Sequence, residues 1–210
     1  MKINTPKSII ILLIILSATQ NSYSQDEENK WVVGLGMNAI DFFPSNGIGH
    51  ITGNNAGLGN ELFNVEDHWN QKGHPKINIS RHIWKRISAD LAYTRNKIYN
   101  IGDFRVDDLS YSAIDLSVHY SILKDNYKLN PYVLIGAGHT SIDDKGTATF
   151  NSGIGVTYWF AEKFGVNGDM KFKYADLDYP MIQHFQYSVS IVHRFGSGRG
   201  KKGHGTECFE

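Results

Sequence analysis

Residues Gln183–Phe195 read QHFQYSVSIVHRF. At every second position Phe185, Tyr187, Val189, Ile191 and Phe195 share one side, and Gln186, Ser188, Ser190 and Arg194 share the other, with Val192 as the exception. A period of two describes a β-strand with one apolar and one polar face. His193 is the polar intruder on the apolar side, close to the end. After Phe195 the chain breaks into Gly196-Ser197-Gly198-Arg199-Gly200. An amphipathic strand of a soluble sheet would look the same, so the neighbouring segments must discriminate.

Upstream, the same parity recurs. Trp31–Ile40 (WVVGLGMNAI) alternates, as do Lys76–Trp84, Arg86–Asn96, about Ser110–Ile122, Pro131–Thr140, Thr149–Phe160 and Phe164–Tyr174. In Lys76–Trp84 the apolar face is Ile77, Ile79 and Ile83, and Arg81 interrupts it. Either a bulge shifts the register there or Arg81 lies at a membrane edge and snorkels. Short connections follow the second, fourth and sixth segments, at Lys85, 124–130 and 161–163. Longer ones follow the others, at 41–75, 97–109, 141–147 and after Tyr174. The pattern predicts an all-β chain: an eight-stranded antiparallel up-and-down transmembrane β-barrel, with short periplasmic turns and longer extracellular loops.

Composition bounds the alternatives. Lys and Arg total 21 against 21 Asp and Glu, so no basic field invites nucleic acid. A single cysteine, Cys208, excludes a disulfide framework within the chain. Lys2 and Lys7 precede the apolar run Ile9–Leu16 and a polar stretch through Ser24, which reads as a signal peptide over 1–24 cut between Ser24 and Gln25. That run is shorter than the ~20 residues a membrane helix needs. No other long apolar run follows. The barrel domain is expected over 25–195, with a disordered Gly-rich periplasmic tail over 196–210.

A lipocalin-like soluble barrel that binds a ligand is the structural rival. Two features oppose it. The polar faces are built of Gly, Ser, Asn and Thr with few charges, unlike the Lys/Glu-rich faces that meet water. Small residues suit the crowded interior of a barrel of this strand number. The apolar faces of the fourth, seventh and eighth segments carry almost no charge, as lipid demands, since a charge facing mid-membrane costs about 2–4 kcal/mol.

Several motifs then point to a family. Asn38-Ala39-Ile40-Asp41-Phe42, Phe63–Trp69 (FNVEDHW), Asn96-Lys97-Ile98, Asp108–Tyr111, Pro131-Tyr132, Gly155–Trp159 (GVTYW) and His184-Phe185-Gln186 resemble the N-terminal barrel of OmpA-family outer-membrane proteins of Bacteroidetes-type bacteria. The resemblance runs from about Trp31 to Phe195. It implies export to the outer membrane of a Gram-negative cell and insertion by the barrel-assembly machinery. It also implies that the last strand, with Tyr187, Val189, Ile191 and the terminal Phe195, carries the assembly signal. Family barrels commonly continue into a peptidoglycan-binding domain. This chain departs from that at Glu210, so no cell-wall tether of its own is expected.

Candidate chemistry lies on the inward faces. Asp90, Asp115, His119, Asn167, Asp169, Lys171, Lys173 and Arg194 form a lumen polar network, read either as an ion path or as a plug of paired charges. A narrow interior favours the plug, with Arg194 and Lys171 pairing with Asp90, Asp115 or Asp169. His50, His68, His74, His139 and His184, with Asp41 and Asp67, lack tight ligand spacing, so no metal and no cofactor is expected. A lipid-modifying enzyme is the second class of function. Ser117 and His119 face inward in mid-strand and no nucleophile elbow exists, so catalysis is not expected. The third class is binding. Phe63, His68 and Trp69 in 41–75 either dock an envelope partner or fold onto the rim as membrane anchors. The expected function is that of a structural or interaction barrel, with porin-like leakage at most weak.

Overall fold

The computed structural model describes residues 29–42, 69–72, 75–101, 104–123, 127–143, 145–175 and 183–196. The readings of a leader over 1–24, of Phe63, His50, His68 and His74, and of the tail beyond Gly196 lie outside the described residues.

Eight antiparallel strands close on themselves in chain order. They are β1 (Trp31–Asp41), β2 (Pro75–Trp84), β3 (Ile87–Ile101), β4 (Phe104–Ser121), β5 (Leu129–Ile142), β6 (Lys145–Trp159), β7 (Phe164–Ala175) and β8 (His184–Phe195). The predicted fold is therefore present. Closure is made by β1 and β8, paired from Trp31↔Phe195 to Asp41↔Phe185. That ladder removes both sheet edges, which hydrocarbon cannot hydrogen-bond. At the tight reversal between β2 and β3, Lys85 takes a left-handed φ of 49°. Arg81 sits opposite Trp31 in regular pairing, and the register shift comes after it, between His82 and Trp84. Its guanidinium lies 5.0 Å from the Trp31 ring centre, so the intruder is a rim cation over an aromatic rather than a bulge.

The outer wall is aliphatic. Leu35, Ile114, Leu116, Ile135, Ile154, Val189 and Ile191 are each more than half exposed. Hydrocarbon side chains exposed at that density describe a surface facing acyl chains. Glycines keep the inside passable for larger neighbours. A Cβ on Gly138 would collide with the Asp115 carboxylate, and one on Gly155 with the Tyr132 ring.

Two expected loops are strand instead. Residues 97–101 and 104–109 form the upper part of the β3–β4 pair, from Lys97↔Ser110 through Ile101↔Phe104. Residues 141–142 continue β5 and 145–147 open β6, with Ile142 opposite Lys145. The expected asymmetry of connection lengths is thus partly an asymmetry of strand lengths. These extensions project past the apolar belt, where the outward face need not be apolar, so the alternation weakens while the backbone ladder continues.

Candidate functional site

The lumen is filled in tiers. At the end bearing the long 41–75 connection, Ile40, Phe42, Ile98, Tyr111 and Ala113 form a buried apolar lid. Val106, Leu109 and Ile142 pack against it. His184 closes this lid: its Nε2 and the Tyr111 hydroxyl are 2.9 Å apart, and its ring lies 5.1 Å from Phe42. His184 is fully buried. Inward parity at the first residue of β8 puts it there.

Below the lid two ion pairs cross the interior. Lys173 Nζ donates to Asp115 Oδ1 at 2.8 Å, and Asn151 Nδ2 donates to the same oxygen at 2.9 Å. Lys76 Nζ donates to Asp169 Oδ2 at 2.5 Å and to Ser188 Oγ at 2.6 Å. All four charged side chains are buried. Gln186 Nε2 reaches Thr94 Oγ1 at 3.0 Å, a further tie between β8 and β3. Asp90 accepts from Asn78 Nδ2 at 2.7 Å and Ser80 Oγ at 2.5 Å. Buried charges need such partners, because desolvation costs several kcal/mol per ion.

All eight residues of the expected network line this interior, and the two buried ion pairs in it use Lys173 and Lys76. Arg194 meets the 161–163 turn. Its Nε donates to the Glu162 carbonyl at 2.5 Å, and its guanidinium lies 5.1 Å from Trp159. It closes the opposite end of the lumen, where Val32, Trp159 and Val192 form a second apolar cluster. Lys171 Nζ is buried without a hydrogen-bond partner among the described residues. The lysine that pairs with Asp169 is Lys76, which the sequence reading passed over. Parity marks it as inward, because Ile77 and Ile79 face out.

Between the charged tier and the Trp159 end lies a polar cavity of about 50 Å³ bounded by Asp90, His119, Tyr132 and Lys171. Its size suits a few waters. His119 stacks on Tyr132 with ring centres 4.6 Å apart, and Asn167 Nδ2 donates to the Tyr132 hydroxyl at 2.8 Å. Ser117 Oγ and His119 Nε2 do not hydrogen-bond each other. Among the described residues no group of His, Cys, Asp and Glu is arranged to hold a metal.

Asn70 is a second residue that sequence reasoning missed, and its role is to hold two strands together. Pairing of β1 with β2 ends at Met37↔Pro75, so one edge of β1 above that point lacks a strand partner. Asn70 fills the gap. Its backbone exchanges hydrogen bonds with Ile40 at 3.0 and 2.8 Å. Its Oδ1 accepts from the amides of Tyr99 and Asn100 at 2.8 Å each. Asn96 Nδ2 donates to its carbonyl at 2.9 Å. One side chain thus stitches β1 to β3. The adjacent Trp69 passes over β1 and stacks on Tyr187, ring centres 4.4 Å apart. Of the proposed assembly-signal residues, Val189, Ile191 and Phe195 stand exposed on the outer wall, while Tyr187 is covered.

Known proteins agree with this architecture. The N-terminal barrel of Pseudomonas aeruginosa OprF is similar at 14% identity and TM-score 0.51, covering 84% of this chain and 100% of that one. Neisserial surface protein A matches at 13% identity and TM-score 0.51, covering 79% and 96%. Pseudomonas aeruginosa OprG matches at 8% identity and TM-score 0.55, covering 83% and 98%. At these identities the likeness extends to the fold alone. No curated protein matches the chain in sequence. The model of the outer membrane protein beta-barrel domain matches residues 9–195 of the 210. With a closed aliphatic-walled barrel behind that match, the chain belongs to the outer membrane protein beta-barrel domain family, and its location is the outer membrane.

Proposed function

We propose that this protein is a structural outer-membrane barrel that displays its connections for contact and does not conduct appreciably. The observation that carries this reading is the pair of buried ion pairs, Lys173–Asp115 and Lys76–Asp169, strung across the lumen beneath an apolar lid. A solute path would have to part both pairs and displace Phe42 and His184. Wide aqueous channels are built from many more strands. Leakage is therefore weak and rare in this reading.

The rest of the reading follows the chain. The leader over 1–24 is removed between Ser24 and Gln25 on export. The assembly machinery reads the closing strand, whose apolar side carries Tyr187, Val189, Ile191 and Phe195. The 41–75 segment, with Phe63, His68 and Trp69, is the surface offered to an envelope partner. The anchoring of Trp69 on Tyr187 supports a fixed base for that segment rather than a free tether. Single-channel recording of the protein in planar bilayers tests the closed lumen. Silence with only rare brief openings is the expected record, and steady large conductance overturns the proposal.

A further inference from the structure

The outer wall is not evenly covered. In one row across β7, β8 and β1, Gly168 pairs with Val189 and Val189 with Met37. Gly168 leaves the wall bare there, and one row higher the small Ala39 stands opposite Tyr187. Met37 and Val189 rise beside this bare strip, 68% and 62% exposed. Trp69 roofs it from the 41–75 end by stacking on Tyr187. The result is an apolar groove of about 360 Å³ on the outside of the barrel. The groove is continuous with the acyl-facing wall and lies in the half that bears the long connections, which is the outer leaflet. Beyond β1, Arg95 is exposed on the outward face of β3, and its carbonyl accepts from Asn38 Nδ2 at 3.1 Å.

We infer that this groove is a lipid site that holds one acyl chain of a phosphorylated outer-leaflet glycolipid of the lipid A class, with Arg95 facing its phosphate. The groove supplies shape and the cation supplies charge. An acyl chain is the occupant because this wall meets hydrocarbon and the side chains around the bare strip are Met37, Ala39, Trp69, Tyr187 and Val189. A phosphorylated headgroup follows from a cation set just past the apolar belt.

Gly168 provides a clean test. A Cβ added there meets nothing closer than the Ser188 carbonyl at 3.9 Å, so Gly168→Leu fills the groove without moving the backbone. The full chain, held in detergent with purified lipid A, is examined by native mass spectrometry. The wild type is expected to retain one lipid A, and Gly168→Leu to lower that occupancy about ten-fold at equal lipid concentration, a loss of ~1.4 kcal/mol of affinity. Arg95→Gln, which leaves the groove intact, is expected to weaken retention of lipid A but not of its dephosphorylated form. Equal retention by wild type and Gly168→Leu overturns the inference. So does equal retention of phosphatidylethanolamine by the wild type, or a dimer mass that Gly168→Leu abolishes, which would assign the groove to a second copy of the chain.

Discussion

Asp115 and Leu116 are consecutive residues of β4 that meet different surroundings. Asp115 is fully buried and accepts from Lys173 and Asn151. Leu116 is 59% exposed on the outer wall. In a water-soluble protein these assignments would be reversed. The comparison teaches that parity along a strand chooses which of two solvents a residue meets. One is hydrocarbon, which tolerates no charge. The other is a cramped polar interior, which tolerates charge only in pairs.

The largest effects should come from breaking the inner side. Lys173→Met leaves the Asp115 carboxylate buried without its cation, and a loss of about 3–5 kcal/mol is expected from denaturant unfolding in lipid. The double variant Lys173→Met with Asp115→Leu should recover most of that loss, because no charge is then stranded. A double variant as unstable as the single one would show that the pair is not what Asp115 depends on.

On the outer side, Leu116→Arg should cost about 2–4 kcal/mol, while Ile122→Arg, near the rim, should cost about 0–1. The same unfolding measurement checks both, and equal costs would mean that β4 does not cross the membrane at these depths.

Asn70→Ala comes next. It leaves the Tyr99 and Asn100 amides without their side-chain acceptor, and a cost of about 1–3 kcal/mol is expected. Hydrogen exchange at Tyr99 and Asn100 should accelerate, with the β1–β8 ladder unchanged.

The smallest effect is at the exposed clasp outside the apolar belt, where Asp108 accepts from Lys72 at 3.3 Å and Lys97 at 3.4 Å. The Lys72 hydrogen bond, above all, holds the Asp108 carboxyl below its ordinary value of 3.8. Because the folded value is depressed, the clasp is complete above the ordinary value and is lost as pH falls through the lowered one. Carbon NMR titration of Asp108 should give a midpoint under 3.8, and Asp108→Asn should leave barrel unfolding unchanged.

Much of this was legible from sequence because the apolar belt writes a period of two into every strand. The strand count, the closing strand and the inward set with Asp90, Asp115 and Asp169 all follow from that period. Lys76 was readable as inward by parity with Ile77 and Ile79, but its partner was not, since the pair with Asp169 joins β2 to β7 across the lumen. The extension over 97–101 and 104–109 was hidden because it leaves the belt, where the outward face need not be apolar. Asn70 was hidden for a different reason. Its role is set by β2 ending short of its neighbours, a fact of register that belongs to no local pattern. Arg194 was legible as inward, but its place at the Trp159 end was not, since parity fixes side and not depth.

The central claim is this partition of the two faces, and paired thiol labelling in bilayers tests it most directly. In a Cys208→Ser background, Leu116→Cys and Ser117→Cys place thiols on adjacent residues with opposite parity. The account predicts that a fluorophore on Leu116→Cys is quenched by lipids brominated in their acyl chains, while Ser117→Cys resists a small charged thiol reagent. Rapid modification of Ser117→Cys, or a Leu116→Cys label that acyl bromines cannot reach, would contradict it.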